Sequence, residues 1–216
     1  MVGWMKMETK MIELKKIKQE IQKCKKCKLY QYRKNPVPGE GNPNSEIVFI
    51  GEAPGFQEDN QGRPFVGAAG KVLDEMLKLA GIKREEVFIT NVIKCRPPNN
   101  RDPAQDEILA CSPYLDRQID IIRPKIIVTL GRHSTKYIFS KIGKSFSSIL
   151  KVHGKTFRWQ YKGGEILVFP TLHPAASLYN PNMRKILEKD FLRLKEIISK
   201  IQSFSKAGEE TLDKYL

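Results

Sequence analysis

Four cysteines, set as a close pair and a distant pair, constrain this chain more than any other feature. Cys24 and Cys27 are separated by two residues; Cys95 and Cys111 follow after a long gap. Two thiols at that close spacing can grip one metal from a single turn, and two more brought from elsewhere would complete a four-sulfur shell. Free thiols in a reducing cell, or two disulfides, are the plain alternatives. Among metals, zinc and a [4Fe–4S] cluster both accept four thiolates. A zinc ribbon calls for a second short knuckle, whereas Cys95 and Cys111 are well separated and Cys95 runs into Arg96-Pro97-Pro98. The spacing leans toward the larger cluster and leaves zinc open.

The 216 residues, 40% of them hydrophobic, suffice for one good core, so a single domain over residues 1–201 with a polar tail over 202–216 is expected. No apolar run is long enough to span a bilayer, and lysines and glutamates stand where a signal peptide would be apolar. A cytoplasmic protein with reduced, metal-competent thiols is the expectation. Lysine and arginine number 38 against 24 acids, a net charge of +14, which suits a polyanion such as nucleic acid; a merely solvated lysine-rich surface is the bland alternative.

Helical spacing of Met11, Leu14 and Ile21 predicts a helix over Met11 to Lys23 that delivers Cys24 at its end. Short β-branched runs at Ile47 to Ile50, Val87 to Val92, Ile126 to Leu130 and Ile166 to Phe169 alternate with helical patterns at Lys71 to Ala80, Pro103 to Arg117 and His133 to Ile142. Such alternation predicts an α/β fold with a parallel sheet covered on both faces. Ligands of open parallel sheets bind outside the carboxyl ends of the strands. Those ends carry Gly51 to Gly55, Asn91, Gly131-Arg132-His133 and His173-Pro174. The glycine-rich loop from Gly51 to Gly70 is no P-loop, because Gly67-Ala-Ala-Gly70-Lys71 lacks the required glycine spacing and has Val72 where Ser or Thr would hold magnesium. Instead the loop offers Glu52 directly after a strand, small residues beside it, and Phe65. Asn91 at the end of an apolar strand is costly unless it is hydrogen-bonded.

In order along the chain, Gly51-Glu52-Ala53-Pro54-Gly55 with Glu58-Asp59, Gly62-Arg63-Pro64-Phe65-Val66-Gly67, Thr90-Asn91-Val92 before Cys95, and His173-Pro174-Ala175-Ala176 resemble the signature of the family 4 (thermostable, iron–sulfur) uracil-DNA glycosylases. The resemblance runs from about Cys24 to Phe191. It implies a three-layer α/β/α sandwich with a central four-stranded parallel sheet, and a [4Fe–4S] cluster on Cys24, Cys27, Cys95 and Cys111. The implied substrate is uracil-containing DNA, and the implied reaction is hydrolysis of the N-glycosidic bond to leave an abasic site. Substrate-binding residues would be Glu52, Ala53, Pro54, Gly55, Glu58, Phe65, Asn91 and His173, with Glu52 and His173 catalytic. Phe65 would stack on the extruded base. The Asn91 amide would accept from N3–H and donate to O4, a pattern that cytosine inverts. Glu58 is the candidate wall against the methyl of thymine, and His173 the donor to uracil O2. Other glycosylase families carry a water-activating acid directly after the position matching Glu52; Ala53 stands there, so no general base is evident.

Leu178 and Tyr179 are placed to wedge into the gap left by a flipped base, and Arg184, Lys185, Lys144 and Lys151 to meet phosphates. Glu209 to Leu216, through Leu212, Tyr215 and Leu216, resembles the motif by which repair enzymes dock on a sliding clamp. A monomer is expected. A metal-stapled, non-catalytic nucleic-acid binder and a redox iron–sulfur protein are the competing classes; neither needs the base-sized pocket that Glu52, Phe65, Asn91 and His173 would form.

Overall fold

The computed structural model describes residues 2–207, so the candidate clamp motif at residues 209–216 lies outside the described residues. Helix α1 (Val2–Lys23) leads to strand β1 (Glu40–Gly41), β2 (Ile47–Gly51), α2 (Phe56–Gln61), α3 (Ala68–Leu79) and β3 (Phe88–Asn91). Then follow α4 (Gln105–Ile122), β4 (Ile126–Leu130), α5 (Arg132–Lys141), α6 (Ile149–Val152), β5 (Phe157–Tyr161), β6 (Gly164–Thr171) and α7 (Pro181–Ala207). No helix among the described residues is long and apolar enough to cross a membrane.

The six strands lie in the order β1-β3-β2-β4-β6-β5. The inner four run parallel, as expected, and an antiparallel strand is added at each edge. Neither edge strand was legible: β1 is two residues long, and β5 (Phe-Arg-Trp-Gln-Tyr) is only half buried. The sheet is therefore mixed, with β5 turned back onto β6 through Lys162 and Gly163, both at positive φ, as a tight hairpin needs.

Continuous burial of β2 and β4 follows from helices on both faces. Alternate side chains part company: Phe49, Val128 and Phe169 meet Leu73, Met76 and Leu77 of α3 and Leu187, Phe191 and Leu194 of α7. Val48, Ile50 and Ile127 meet Ile17 and Ile21 of α1, Leu115 and Ile119 of α4, and Phe139 of α5. Phe49 stacks on Phe191 at 6.1 Å between ring centres. Filling either layer imperfectly, as Phe49→Ala would, costs roughly 3–5 kcal/mol.

Two expected irregular stretches carry helix. The loop from Gly51 to Gly70 contains α2 and the first turn of α3, and α7 continues beyond Ile201 to Ala207. From β2 the chain adds β3 on one side and later β4 on the other. The carboxyl ends of β2 and β4 thus form a topological switch point, where open parallel sheets leave a crevice.

Candidate active site

One pocket opens at that crevice, and Glu52, Ala53, Pro54, Gly55, Glu58, Phe65, Asn91 and His173 all line it. Ala69, Pro97, Asn100, Arg101 and Ala175 complete the wall. The parallel register sets Gly51 beside Asn91. A Cβ on Gly51 would stand 2.3 Å from Asn91 Oδ1 and 2.7 Å from Phe65 Cζ, so only glycine lets these two side chains close on the strand end.

Phe65 itself adopts φ 50°, a region that costs a non-glycine residue energy and is held only when its surroundings dictate it. The surroundings are visible. Glu58 Oε1 accepts hydrogen bonds from the N–H groups of Val66 and Gly67, both at 2.8 Å, and Arg84 donates to the Pro64 carbonyl at 2.7 Å. Phe65 is 6% exposed and its ring centre lies 5.7 Å from that of His173. The Glu58 carboxylate, expected as a steric wall, is thus also the clasp of the Phe65 loop.

Asn91 is 1% exposed, yet its Oδ1 has no hydrogen-bond partner among the described residues. A buried, unsatisfied carbonyl costs about 1–3 kcal/mol, a cost that persists where a ligand is to supply the donor. The backbone behind it is firmly held. Lys94, fully buried, donates from Nζ to the Asn91 carbonyl at 2.7 Å, to Thr90 Oγ1 at 2.6 Å and to Gln118 Oε1 at 2.8 Å. Burial pushes the Lys94 pKa down to about 7. The sequence reading missed Lys94; its signal was a lysine closing an otherwise apolar run, Val92-Ile93-Lys94, just before Cys95.

His173 Nδ1 accepts from the Ala175 N–H at 3.2 Å, which leaves the proton on Nε2. Its surroundings are crowded even though one edge meets the pocket, and desolvation lowers its pKa to about 4, only slightly opposed by the nearby Glu58 charge. The ring is therefore neutral near pH 7, with a proton on Nε2 available to donate. Burial raises the Glu52 pKa above the ordinary carboxylate value, and the nearby Asp102 adds to the rise, while His133 and Arg132 oppose it. His133, Asp102 and Arg132 were not singled out from sequence as site residues. Glu52, Asp102 and His133 place ligand atoms within 4.8 Å of one another, but the Arg132 guanidinium already donates to Asp102 at 2.6 Å and to His133 at 2.9 Å, filling the place a cation would take.

At a second corner Cys24, Cys27, Cys95 and Cys111 line one small cavity with Arg33 and Tyr114. Arg33 donates to Cys95 Sγ at 3.1 Å and the Lys94 N–H to Cys111 Sγ at 3.2 Å, the kind of donors that thiolate ligands accept. Burial raises the thiols of Cys27 and Cys95, and that of Cys111 to about 12. All four cysteines are free of disulfide bonds.

Beyond His173 a single turn (Pro174–Ser177) presents Leu178, 37% exposed, and Tyr179, 92% exposed. Arg184 is committed to Glu75 at 2.5 Å and Glu188 at 2.9 Å, so a phosphate would have to compete for it. Lys144, Lys151 and Lys185 are exposed.

Comparison with known proteins agrees with this geometry. A family model described as the uracil DNA glycosylase superfamily matches residues 38–198. A type-4 uracil-DNA glycosylase of Sulfurisphaera tokodaii is 70% identical over 188 residues, covering 87% of this chain and 86% of that protein. The type-4 uracil-DNA glycosylase of Saccharolobus solfataricus is 62% identical over 85% of each chain. That of Archaeoglobus fulgidus is 49% identical over 89% of this chain and 96% of its own.

Proposed function

Since the chain belongs to the uracil-DNA glycosylase superfamily, among its type-4 members, we propose that it flips uracil out of DNA and hydrolyses the N-glycosidic bond with the pocket residues in the following roles. The observation that carries this reading is the orphaned Asn91 Oδ1, a buried acceptor without a partner among the described residues, on a side chain that lines the pocket. Extruding a nucleotide costs a few kcal/mol. Stacking on an aromatic ring such as Phe65 returns about 1–3 kcal/mol. Asn91 Oδ1 accepts from N3–H and Nδ2 donates to O4. Cytosine presents an acceptor at N3 and a donor at N4 and would leave both groups mismatched. Glu58 and Gly55 close the side where thymine carries its methyl.

Cleavage breaks the C1′–N1 bond, leaving positive charge on the sugar and negative charge on uracil, largely at O2. A new bond forms from water oxygen to C1′ as that water releases a proton to solvent, the departing uracil anion takes one up, and the products are an abasic site and uracil. His173 donates from Nε2 to O2, and that hydrogen bond strengthens as negative charge develops there. Glu52, as a carboxylate, orients water and opposes the positive charge at C1′. With Ala53 in place of an acid, the reaction leans on leaving-group stabilisation.

The four cysteines suit a [4Fe–4S] cluster as donors: four sulfurs in one cavity, with Arg33 and Lys94 donating to them. Its contribution would be a cross-link between the end of α1, the segment after β3, and α4. Tyr179 and Leu178 fill the gap in the stack, Arg184 and the exposed lysines meet phosphates, and the tail reaches a clamp. The protein works as a monomer on cytoplasmic DNA.

The test is release of free base from uracil-containing oligonucleotide beside an identical thymine control, with wild type and Asn91→Ala. Release confined to uracil and lost in the variant is expected; undiminished release by Asn91→Ala would overturn the reading of the pocket.

A further inference from the structure

We propose that His133 is a positioning residue for this reaction: from the first turn of α5 it faces Glu52 across the topological switch point and supplies positive charge that favours the carboxylate form. The inference rests on the role given to Glu52 above. Three chain segments converge here. Glu52 follows β2, His133 follows β4 through Gly131, and Asp102 precedes α4. Gly131 is at φ +92°, and a Cβ there would stand 2.9 Å from His173 Cβ, so the turn that presents His133 is also the one packed against His173.

His133 Nε2 lies 3.7 Å from Glu52 Oε2 and 3.3 Å from Asp102 Oδ2, and Arg132 Nε donates to it at 2.9 Å. In the neutral ring Nε2 accepts from Arg132. On protonation Nε2 becomes a donor, turned from the guanidinium toward the two carboxylates. The charged groups acting on Glu52 are His133, Asp102 and Arg132; Arg101, which also lines the pocket, is spent on Glu107 at 2.6 and 2.8 Å.

The device answers a conflict within the site. Glu52 can oppose positive charge at C1′ only as an anion, yet burial favours its neutral form and Asp102 adds repulsion. The His133 ring, 3.7 Å from the carboxylate, opposes the resulting rise in pKa through its charge, so it supplies attraction where it is needed. Both His133 and Glu52 are less than a third exposed, which limits screening. The sign follows: removing the imidazole moves Glu52 ionisation to higher pH, and removing the Asp102 charge moves it to lower pH.

The experiment is the pH profile of single-turnover uracil release for wild type, His133→Gln, Asp102→Asn and Glu52→Gln, each confirmed as folded by its thermal midpoint. His133→Gln is expected to shift the acid limb upward by roughly one pH unit, the water-like limit for unit charges at this separation, or about a tenfold loss at fixed pH on the limb. Asp102→Asn is expected to shift it downward, and Glu52→Gln to abolish it. An acid limb unmoved by His133→Gln but abolished by Glu52→Gln would overturn the role of His133 while sparing that of Glu52. A limb that survives Glu52→Gln would overturn both.

Discussion

Asn91 and Cys95 are separated by three residues, yet they belong to regions built on opposite logic. The pocket around Asn91 is made at the ends of rigid strands and carries features that cost stability: an unsatisfied buried carbonyl, a phenylalanine at positive φ, and a carboxylate and an imidazole whose charged forms are disfavoured by burial. The corner around Cys95 is made from a helix end, a loop and the middle of another helix, and its donors Arg33 and Lys94 are already turned toward sulfur. On the proposed reading, the first region gives up stability for selectivity, and the second, holding a cluster, would fasten chain segments together. Lys94 joins them, its N–H on Cys111 and its Nζ on the Asn91 carbonyl.

If that division is right, mutations in the two regions separate stability from chemistry. The largest effect is expected at the cysteine corner. Cys111→Ser should cost roughly 3–5 kcal/mol, on the scale of losing a structural cross-link, and lower the thermal midpoint by about 10 °C or more. Uracil release per folded molecule should stay within about threefold. A variant as stable as wild type would break the comparison.

Next is His173→Ala, which removes the only donor assigned to O2. Release should fall about 10²–10³-fold with little change in thermal midpoint. A fall in stability of the same order as in Cys111→Ser would place His173 in the fastening class instead. A smaller effect concerns Tyr179. Tyr179→Ala should weaken duplex binding by about 1–2 kcal/mol, or roughly 5- to 30-fold, and leave affinity for free uracil unchanged. Equal losses for both ligands would remove the wedge.

The smallest effect sharpens the comparison through pH. A histidine whose pKa falls from its ordinary 6.5 to about 4 on folding binds its proton more readily when unfolded. Its stabilising contribution is complete above pH 6.5 and declines as pH falls toward about 4. The thermal midpoint of wild type should fall across that window more steeply than that of His173→Gln; parallel curves would contradict the neutral assignment.

The parts of this design that repeat with a short period were legible in the sequence. The four parallel strands announce themselves as β-branched runs, and the pocket residues sit at their ends because strand ends face one way in such a sheet. The edge strands were not legible, since β5 is half buried and β1 is two residues long. The charged neighbours of the pocket were hidden for a different reason. His133 was visible only as one residue at the end of β4, and its approach to Glu52, like that of Asp102 from the segment before α4, depends on β2 and β4 lying side by side, a tertiary fact with no local pattern. Glu58 was read as a wall from its closeness to Gly55, and its bonds to Val66 and Gly67 depend on how the Phe65 loop folds back. The state of His173 needed the packing around it, which no spacing of residues encodes.

The most direct test of the central claim is a crystal structure of the protein with uracil bound. The account predicts the base against Phe65, N3 within hydrogen-bonding distance of Asn91 Oδ1, O4 near Asn91 Nδ2, and O2 near His173 Nε2. A base seated in the pocket with Asn91 Oδ1 still unpartnered, or with N3 turned away from it, would contradict that claim.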